Sequence, residues 1–271
     1  MHKIFFCNGF GIFNTQIALG MFPNRLKYAL VKPLYKQGDR SHAYNYRPIS
    51  MLSSFSKIFE KLMYSQLQDH LSNLKIITEN QYGFRTNCST DKAIYKLINE
   101  ALNALNNTSA VGGIFLDLEK AFDCLSHKIL MSKLQFYGIT GRANSWLETY
   151  FINRYQRVQL PNESYFSSWE KITDGVPQDS ILGPLLFLIY INDLPIIMNE
   201  YTILILFADD TSITVKGSNP IYLQMNMENI FDQIKEWFKP NLLTINMYKT
   251  NYIQFKTKNK SIADIKIISN N

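Results

Sequence analysis

Apolar residues recur at steps of three and four from Ser54 to Leu74 (Phe55, Ile58, Phe59, Leu62, Met63, Leu67, Leu71, Leu74), the stripe of an amphipathic helix of about five turns. A second helix is predicted from Ser89 or Thr90, good N-caps followed by Asp91, burying Ala93, Ile94, Leu97, Ile98, Ala101 and Leu102 before a polar loop over Asn103–Ser109. Before them, Tyr28–Val31 and Pro33–Tyr35 are apolar pieces split by Pro33, with Gly38 and Asp39 beyond, and suggest strand and turn rather than helix. Val111–Asp117 is an apolar run that ends on a carboxylate and reads as a buried strand. Ile129, Leu130, Leu134 and Tyr137 mark a helix stopped by Gly138, and Trp146, Leu147, Tyr150 and Phe151 mark another. Arg154–Leu160 and Tyr165–Ile172 flank the turn-like Pro161-Asn162-Glu163-Ser164 and predict a hairpin. Ser180–Leu194 is strongly apolar, with Pro184 admissible in the first turn of a helix. Thr202–Phe207 and Thr211–Lys216 predict two strands joined through Ala208-Asp209-Asp210, a hairpin with two acids at its tip. Asn219–Phe238 has helical spacing and stops at Pro240, and Asn251–Phe255 and Ile262–Ile268 read as closing strands.

Composition narrows the class. The chain has 271 residues, 46% hydrophobic and 18% charged, a globular balance with room for a sizeable core. Its longest apolar runs, Leu185–Ile191 and Ile203–Ala208, fall short of the roughly 20 residues a membrane helix needs. Cys7, Cys88 and Cys124 are odd in number, far apart and without CxxC spacing, which supports neither a disulfide framework nor a zinc module. Met1 to Phe13 is apolar but interrupted at Asn8, Gly9 and Gly11, and does not read as a secretory signal. The net charge of +6 is concentrated: Arg25, Lys27, Lys32, Lys36, Arg40, Arg47, Lys57 and Lys61 stand against Asp39 and Glu60. Tyr28, Tyr35, Tyr44 and Tyr46 are interleaved with these cations. That mixture suits a surface that meets phosphates and stacks on bases, and it equally suits a solvated basic face.

Adjacent carboxylates at a tight hairpin between apolar strands repel each other and resist ionisation, so something must neutralise them. Hard oxygen donors suit magnesium, which keeps water and phosphate oxygens in its shell. Asp117, at another strand end, supplies a third acid, and neighbouring strands in one sheet would bring Asp117, Asp209 and Asp210 to one metal cluster. Two ions about 3.5–4 Å apart would serve phosphoryl or nucleotidyl transfer. By spacing alone, Asp209-Asp210 also reads as an Asp-rich turn and Asp117 as a helix N-cap.

Three blocks in order, FLDLEKAFD (Phe115–Asp123), GVPQDSILGPLLFLIYINDL (Gly175–Leu194) and FADDT (Phe207–Thr211), resemble the reverse transcriptase domain of non-LTR retrotransposons, particularly jockey-like and related LINE-type elements. KPLYKQGDRSHAYNYRPISML (Lys32–Leu52), ENQYGFRTNCST (Glu79–Thr90) and NLLTINMYKT (Asn241–Thr250) support it, so the resemblance spans roughly Leu26 to Phe255. It implies an α+β right-hand polymerase: fingers over 26–110 after a lead-in over 1–25, a palm over 111–256 with a fingers-type insertion near 140–172, and a remnant over 257–271. The palm would be an antiparallel sheet backed by helices. The helical thumb is expected to be largely absent, with no endonuclease domain before the fingers, as in the truncated middle of a longer element protein.

The resemblance implies RNA-directed DNA synthesis on a primer 3′-hydroxyl with magnesium, or manganese in its place. Asp117, Asp209 and Asp210 would carry the metal chemistry, joined by the Leu118 carbonyl, with Lys249 near the pyrophosphate as a general acid. Arg47, Lys57 and Lys36 would hold the triphosphate, where a guanidinium fork is well suited. Phe122 would lie beneath the incoming sugar and exclude a 2′-hydroxyl, and Gln178 would lie near the nucleotide. Arg85, Phe207 and Ala208 would contact template or primer, with bracing of the fingers or a plain surface role also open for Arg85. Expected partners are an RNA template, a DNA primer, deoxynucleoside triphosphates and element RNA in a ribonucleoprotein, without a membrane; the oligomeric state stays open. The element's life cycle implies a cytoplasmic ribonucleoprotein that also acts in the nucleus. Asp179 stands where the family has Gly after the Pro-Gln pair, adding bulk and charge near the triphosphate and template, and is expected to weaken or abolish polymerisation. The rival readings are an inactive nucleic-acid-binding remnant and a different palm enzyme, such as an RNA-templated RNA polymerase or a cyclase.

Overall fold

The computed structural model describes residues 11, 13–107, 110–160, 165–256. The predicted turn at Pro161 to Ser164 and the predicted strand Ile262–Ile268 lie outside the described residues. The strands are β1 (Tyr28–Tyr35), β2 (Tyr46–Met51), β3 (Ala110–Leu116), β4 (Arg154–Val158), β5 (Glu170–Ile172), β6 (Thr202–Phe207), β7 (Asp210–Gly217) and β8 (Asn251–Phe255). The helices are α1 (Ser54–Asn73), α2 (Thr90–Asn106), α3 (His127–Phe136), α4 (Gly141–Phe151), α5 (Gly183–Ile191) and α6 (Pro220–Phe238). They form two units, residues 1–76 with 122–190 and residues 77–121 with 191–271.

In the first unit a sheet of order β2-β1-β4-β5 lies with α1, α3, α4 and α5. β1 and β4 run parallel and the other pairs antiparallel. Pro33 does not split β1 as expected, because it registers with Pro48. The Lys36 N–H bonds the Asn45 carbonyl, so by alternation Pro33 and Pro48 fall at a position where neither needs an N–H to hold the ladder. Helix α1 starts at Ser53, whose hydroxyl accepts from the Ser56 N–H. Its buried row is Phe59, Met63, Leu67 and Leu71, while Phe55, Ile58, Leu62 and Leu74 of the predicted stripe stay exposed. Ser56 and Glu60 beside this row are buried as well, so the covered arc is displaced from the apolar stripe, and Phe55 in the first turn is left out of it. Helix α5 is buried on every side, Leu185 to Ile191 all being inaccessible, as expected of a helix without a polar face.

The core of this unit holds a charge. Glu60 is fully buried and accepts from the Tyr150 hydroxyl at 3.0 Å and the Ile181 N–H at 2.7 Å. Arg154, 1% exposed, donates to the Tyr150 carbonyl at 3.2 Å and lies 4.4 Å over the Tyr150 ring. Burial pushes the Glu60 carboxyl up, and the Ile181 N–H, Arg154 and the Tyr150 hydroxyl pull it back.

In the second unit all pairs of the sheet β6-β7-β3-β8 are antiparallel. Helix α2 starts where predicted, with the Ser89 hydroxyl accepting from the Lys92 N–H, but continues to Asn106. It buries Ala93 and Ala101 as expected but not Ile94, Ile98 and Leu102, which are about half exposed, and it packs through Ala101 and Ala104 onto Val111, with Leu105 and Phe255 beside them. Alanines let the helix approach closely, which turns the larger apolar side chains outward. Helix α6 covers the opposite face, since a Cβ on Gly112 would meet Met227 and Leu223. Asn219 caps it at the Tyr222 N–H, with Pro220 in the first turn.

Candidate active site

The acids collect at one end of the second unit's sheet. β3 pairs with β7 from Ala110↔Gly217 to Leu116↔Thr211, so Asp117 leaves β3 beside the start of β7, where Asp210 stands. β6 and β7 close with Phe207↔Asp210, which makes Ala208-Asp209 the two-residue tip and Asp210 a strand residue rather than part of the turn. Ala208 takes φ +56°, a left-handed value that tightens the turn. Asp210 is pushed above the usual carboxylate range by burial, then by Asp209 and Asp117, with Lys249 pulling the other way. Neither Asp209 nor Asp210 has an ion-pair partner among the described residues.

Asp117 is held from the other side of β3. The Asn246 N–H donates to the Asp117 carbonyl at 2.8 Å, the Glu119 N–H to the Thr244 carbonyl at 2.9 Å, and Leu118 bridges to Ile245. Asn246 Nδ2 reaches Asp117 Oδ2 at 3.2 Å and Lys249 Nζ reaches the same oxygen at 2.9 Å. The turn that aims Lys249 closes on the Asn246 carbonyl, which accepts from the Lys249 and Thr250 N–H groups and the Thr250 hydroxyl. Lys249 was predicted; Asn246, inside a recognised block, carried no signal beyond its suitability for turns.

A second brace lay unread in the sequence. Asn80 and Tyr82 pair with Leu206 through Leu206 N–H to Asn80 carbonyl at 2.8 Å and Tyr82 N–H to Leu206 carbonyl at 2.7 Å. The buried Gln81 side chain then accepts from both the Gly83 N–H at 2.7 Å and the Ala208 N–H at 3.0 Å, tying this segment to the hairpin tip. A Cβ on Gly83 would stand 2.3 Å from the Ala208 nitrogen, so no other residue fits without moving the tip. Arg85 Nη1 donates to the Thr78 and Gln81 carbonyls at 2.8 and 3.1 Å, bonds that brace this segment. Phe207 is half-buried and Ala208 buried.

Among the described residues no three His, Cys, Asp or Glu side chains close into a metal-holding group, and one oxygen of Asp117 is engaged by Lys249. The donor chemistry nevertheless fits a hard cation: crowded carboxylates whose mutual repulsion raises Asp210 gain from a positive ion. Beside them, the α2 residues Ala93 and Leu97 and the sheet residues Phe115 and Ile205 line a cavity of about 390 Å³ that reaches Asp117, Asp210 and Lys249.

The other predicted residues belong to the first unit. Arg47 is exposed on β2 opposite Leu34, and Lys36 is exposed just beyond β1. Lys57 Nζ lies 2.9 Å from Asp179 Oδ2. Asp179 takes φ +74°, a backbone shape suited to the glycine that the family places there. Gln178 donates to both oxygens of Asp123 at 3.0 and 3.2 Å, and its carbonyl accepts from the Ser50 N–H. Phe122 is half-buried, its ring 4.9 Å from that of Phe187.

An antiparallel four-stranded sheet with acids at one strand end and its neighbouring hairpin, covered by helices, defines the fingers-and-palm class of polymerase folds. The apo telomerase of Candida tropicalis truncated from its C-terminal domain shares it, with a TM-score of 0.64 over 89% of this chain and 52% of that one at 14% identity. A model of the reverse transcriptase (RNA-dependent DNA polymerase) family matches residues 35–262, and the chain belongs to that family. Its relatives include the probable RNA-directed DNA polymerase from transposon BS of Drosophila melanogaster, 29% identical over 88% of this chain and 27% of that protein. The RNA-directed DNA polymerase from mobile element jockey of the same organism is 28% identical over 94% and 28%. The chain thus spans about a quarter of the length of these relatives. No helix among the described residues is long and apolar enough to cross a membrane.

Proposed function

We propose that this chain is the fingers-and-palm part of an RNA-directed DNA polymerase of a non-LTR retrotransposon, adding deoxynucleotides to a primer 3′-hydroxyl on an RNA template. The observation that carries the reading is the meeting of Asp117, Asp209 and Asp210 at one sheet end, where like charge and burial lift Asp210. Asp117, Asp209, Asp210 and the Leu118 carbonyl would hold divalent cations, magnesium by preference, and such ions activate an attacking hydroxyl and stabilise a departing phosphate oxygen. Asn246 and the turn behind it keep Asp117 in place and hold the Lys249 ammonium at the same edge, where it can give a proton to the leaving pyrophosphate. In the first unit, exposed Arg47 and Lys36 are cations for a triphosphate, with Lys57 available once it leaves Asp179. Phe122 would stand under the incoming sugar, and Gln178, steadied by Asp123, near the base. The setting proposed is element RNA in a ribonucleoprotein that works in the cytoplasm and at nuclear DNA.

Primer extension on a homopolymer RNA template with magnesium tests the reading. Extension by the parent that vanishes in Asp209→Asn supports it; a parent that binds RNA and extends nothing, alone or as Asp179→Gly, overturns it.

A further inference from the structure

The parallel ladder between β1 and β4 brings two buried cations together. Tyr28 registers with Tyr155, and the Tyr155 N–H donates to the Lys27 carbonyl at 3.0 Å, so one step earlier Lys27 and Arg154 start the ladder side by side. Alternation puts both on the face of Ala29 and Val31, which is turned into the core. Lys27, one of the cations of the basic stretch, is therefore no part of a surface: it is 4% exposed, and Arg154 is 1% exposed. Like charges paired across neighbouring strands are destabilising, and removal from water raises the cost.

No acid cancels them. Neither side chain has an ion-pair partner among the described residues. Glu60, which feels the field of Arg154, already takes the Tyr150 hydroxyl on one oxygen and the Ile181 N–H on the other. The Lys27 ammonium is pushed down by burial and then by Arg154, with no carboxylate pulling it back.

The guanidinium keeps one edge open. Its Nη1 donates to the Tyr150 carbonyl at 3.2 Å, and the rings of Tyr150 and Phe22 lie 4.4 and 5.6 Å from it. Nε and Nη2, whose parallel N–H bonds form the side-on fork of an arginine, are buried and have no partner among the described residues. The Trp146 N–H, in the same cluster through Phe22, is a further buried donor without one. A water molecule would accept from two donors and bring two protons that need acceptors of their own. A halide accepts from several sides, asks for no acceptor and offsets the surplus charge.

The geometry points to a buried halide site, with chloride held on the Nε–Nη2 fork of Arg154 and shared with the Lys27 ammonium. The ion would pin the junction of β1 and β4, where the chain re-enters the first sheet after α4. The inference does not draw on the polymerase reading and stands or falls apart from it.

Thermal melts of the full chain at constant ionic strength, with sodium chloride exchanged for sodium gluconate, provide the test. Chloride and bromide should each raise the melting temperature of the parent by about 2–4 °C, in step with the logarithm of their concentration, while gluconate is too large to enter. General salt effects move parent and variant alike, so the quantity read is the difference from Lys27→Met. That variant keeps the apolar stem and should lose most of the halide response. In gluconate it should melt above the parent, because the like-charge contact is gone. A crystal soaked in sodium bromide should carry the anomalous signal of the ion at Arg154 Nε and Nη2. The site is overturned by a parent that melts alike in chloride and gluconate, by a Lys27→Met chain that keeps the full response, or by a crystal in which water or the Glu60 carboxylate fills the fork. A response to sulfate without one to bromide overturns the choice of a halide.

Discussion

The two units each raise the proton affinity of a carboxylate, Glu60 in the core and Asp210 at an exposed strand end, and treat it in opposite ways. Glu60 and Asp210 are both pushed up by burial, but Glu60 is met by a tyrosine hydroxyl, a backbone N–H and the field of Arg154. Asp210 is met by two more acids, with Lys249 opposing them. A buried charge whose lone pairs are filled from within serves the fold, whereas one whose neighbours raise its cost is held ready for something that binds. The contrast separates structural from chemical carboxylates without recourse to the family.

The comparison breaks most visibly at the acids. Asp209→Asn should lower primer extension by roughly a hundred-fold or more, several kcal/mol of lost charge stabilisation, and leave the melting temperature unchanged or higher. Arg154→Met should instead cost about 1–3 kcal/mol of stability, because the Tyr150 carbonyl loses its buried donor and Glu60 the field of a cation, read by urea unfolding, with Glu60→Gln in the same chain restoring part of it. If Asp209→Asn destabilises and Arg154→Met does not, the assignment of roles is reversed. Gln81→Leu should cost about 1–3 kcal/mol, since the buried N–H groups of Gly83 and Ala208 lose their acceptor, and extension should fall with it as the hairpin tip loosens. Asp179→Gly should add about 1 kcal/mol by relieving the left-handed backbone, offset by at most about as much from the half-exposed Lys57 pair, and should raise extension by freeing Lys57. The smallest effect is one of pH. Because the folded chain holds the Asp210 proton more tightly than the unfolded chain, stability rises as pH falls through the raised value towards the ordinary 3.8 and is level above it. Thermal melts of the parent should show that slope, and Asp210→Asn should flatten its share.

Much of this was legible along the chain. The helix start at Ser89, the helical run after Asn219, the stop at Gly138 and the strands around Asp117 and Asp209 follow from local chemistry, capping, left-handed glycine and apolar runs, which act over a few residues. The brace at Gln81 and Gly83 was not legible, because a buried glutamine and a close-packed glycine gain their meaning from a hairpin far along the sequence. The exposed Ile94, Ile98 and Leu102 were misread for the same reason: helical spacing marks an apolar arc, while the neighbour decides which part of it is covered.

The sequence by itself determined the elements, the family and the identity of the acids, since each is written in residue types at short spacing. Only the tertiary structure decided that β3 pairs with β7 in the register that sets Asp117 beside Asp210, that Asn246 and Lys249 hold Asp117, and that Lys27 and Arg154 meet on a buried sheet face. Each depends on which strands become neighbours and in what register. That is settled by burial summed over a whole sheet, where one residue of slip would turn every side chain to the other face.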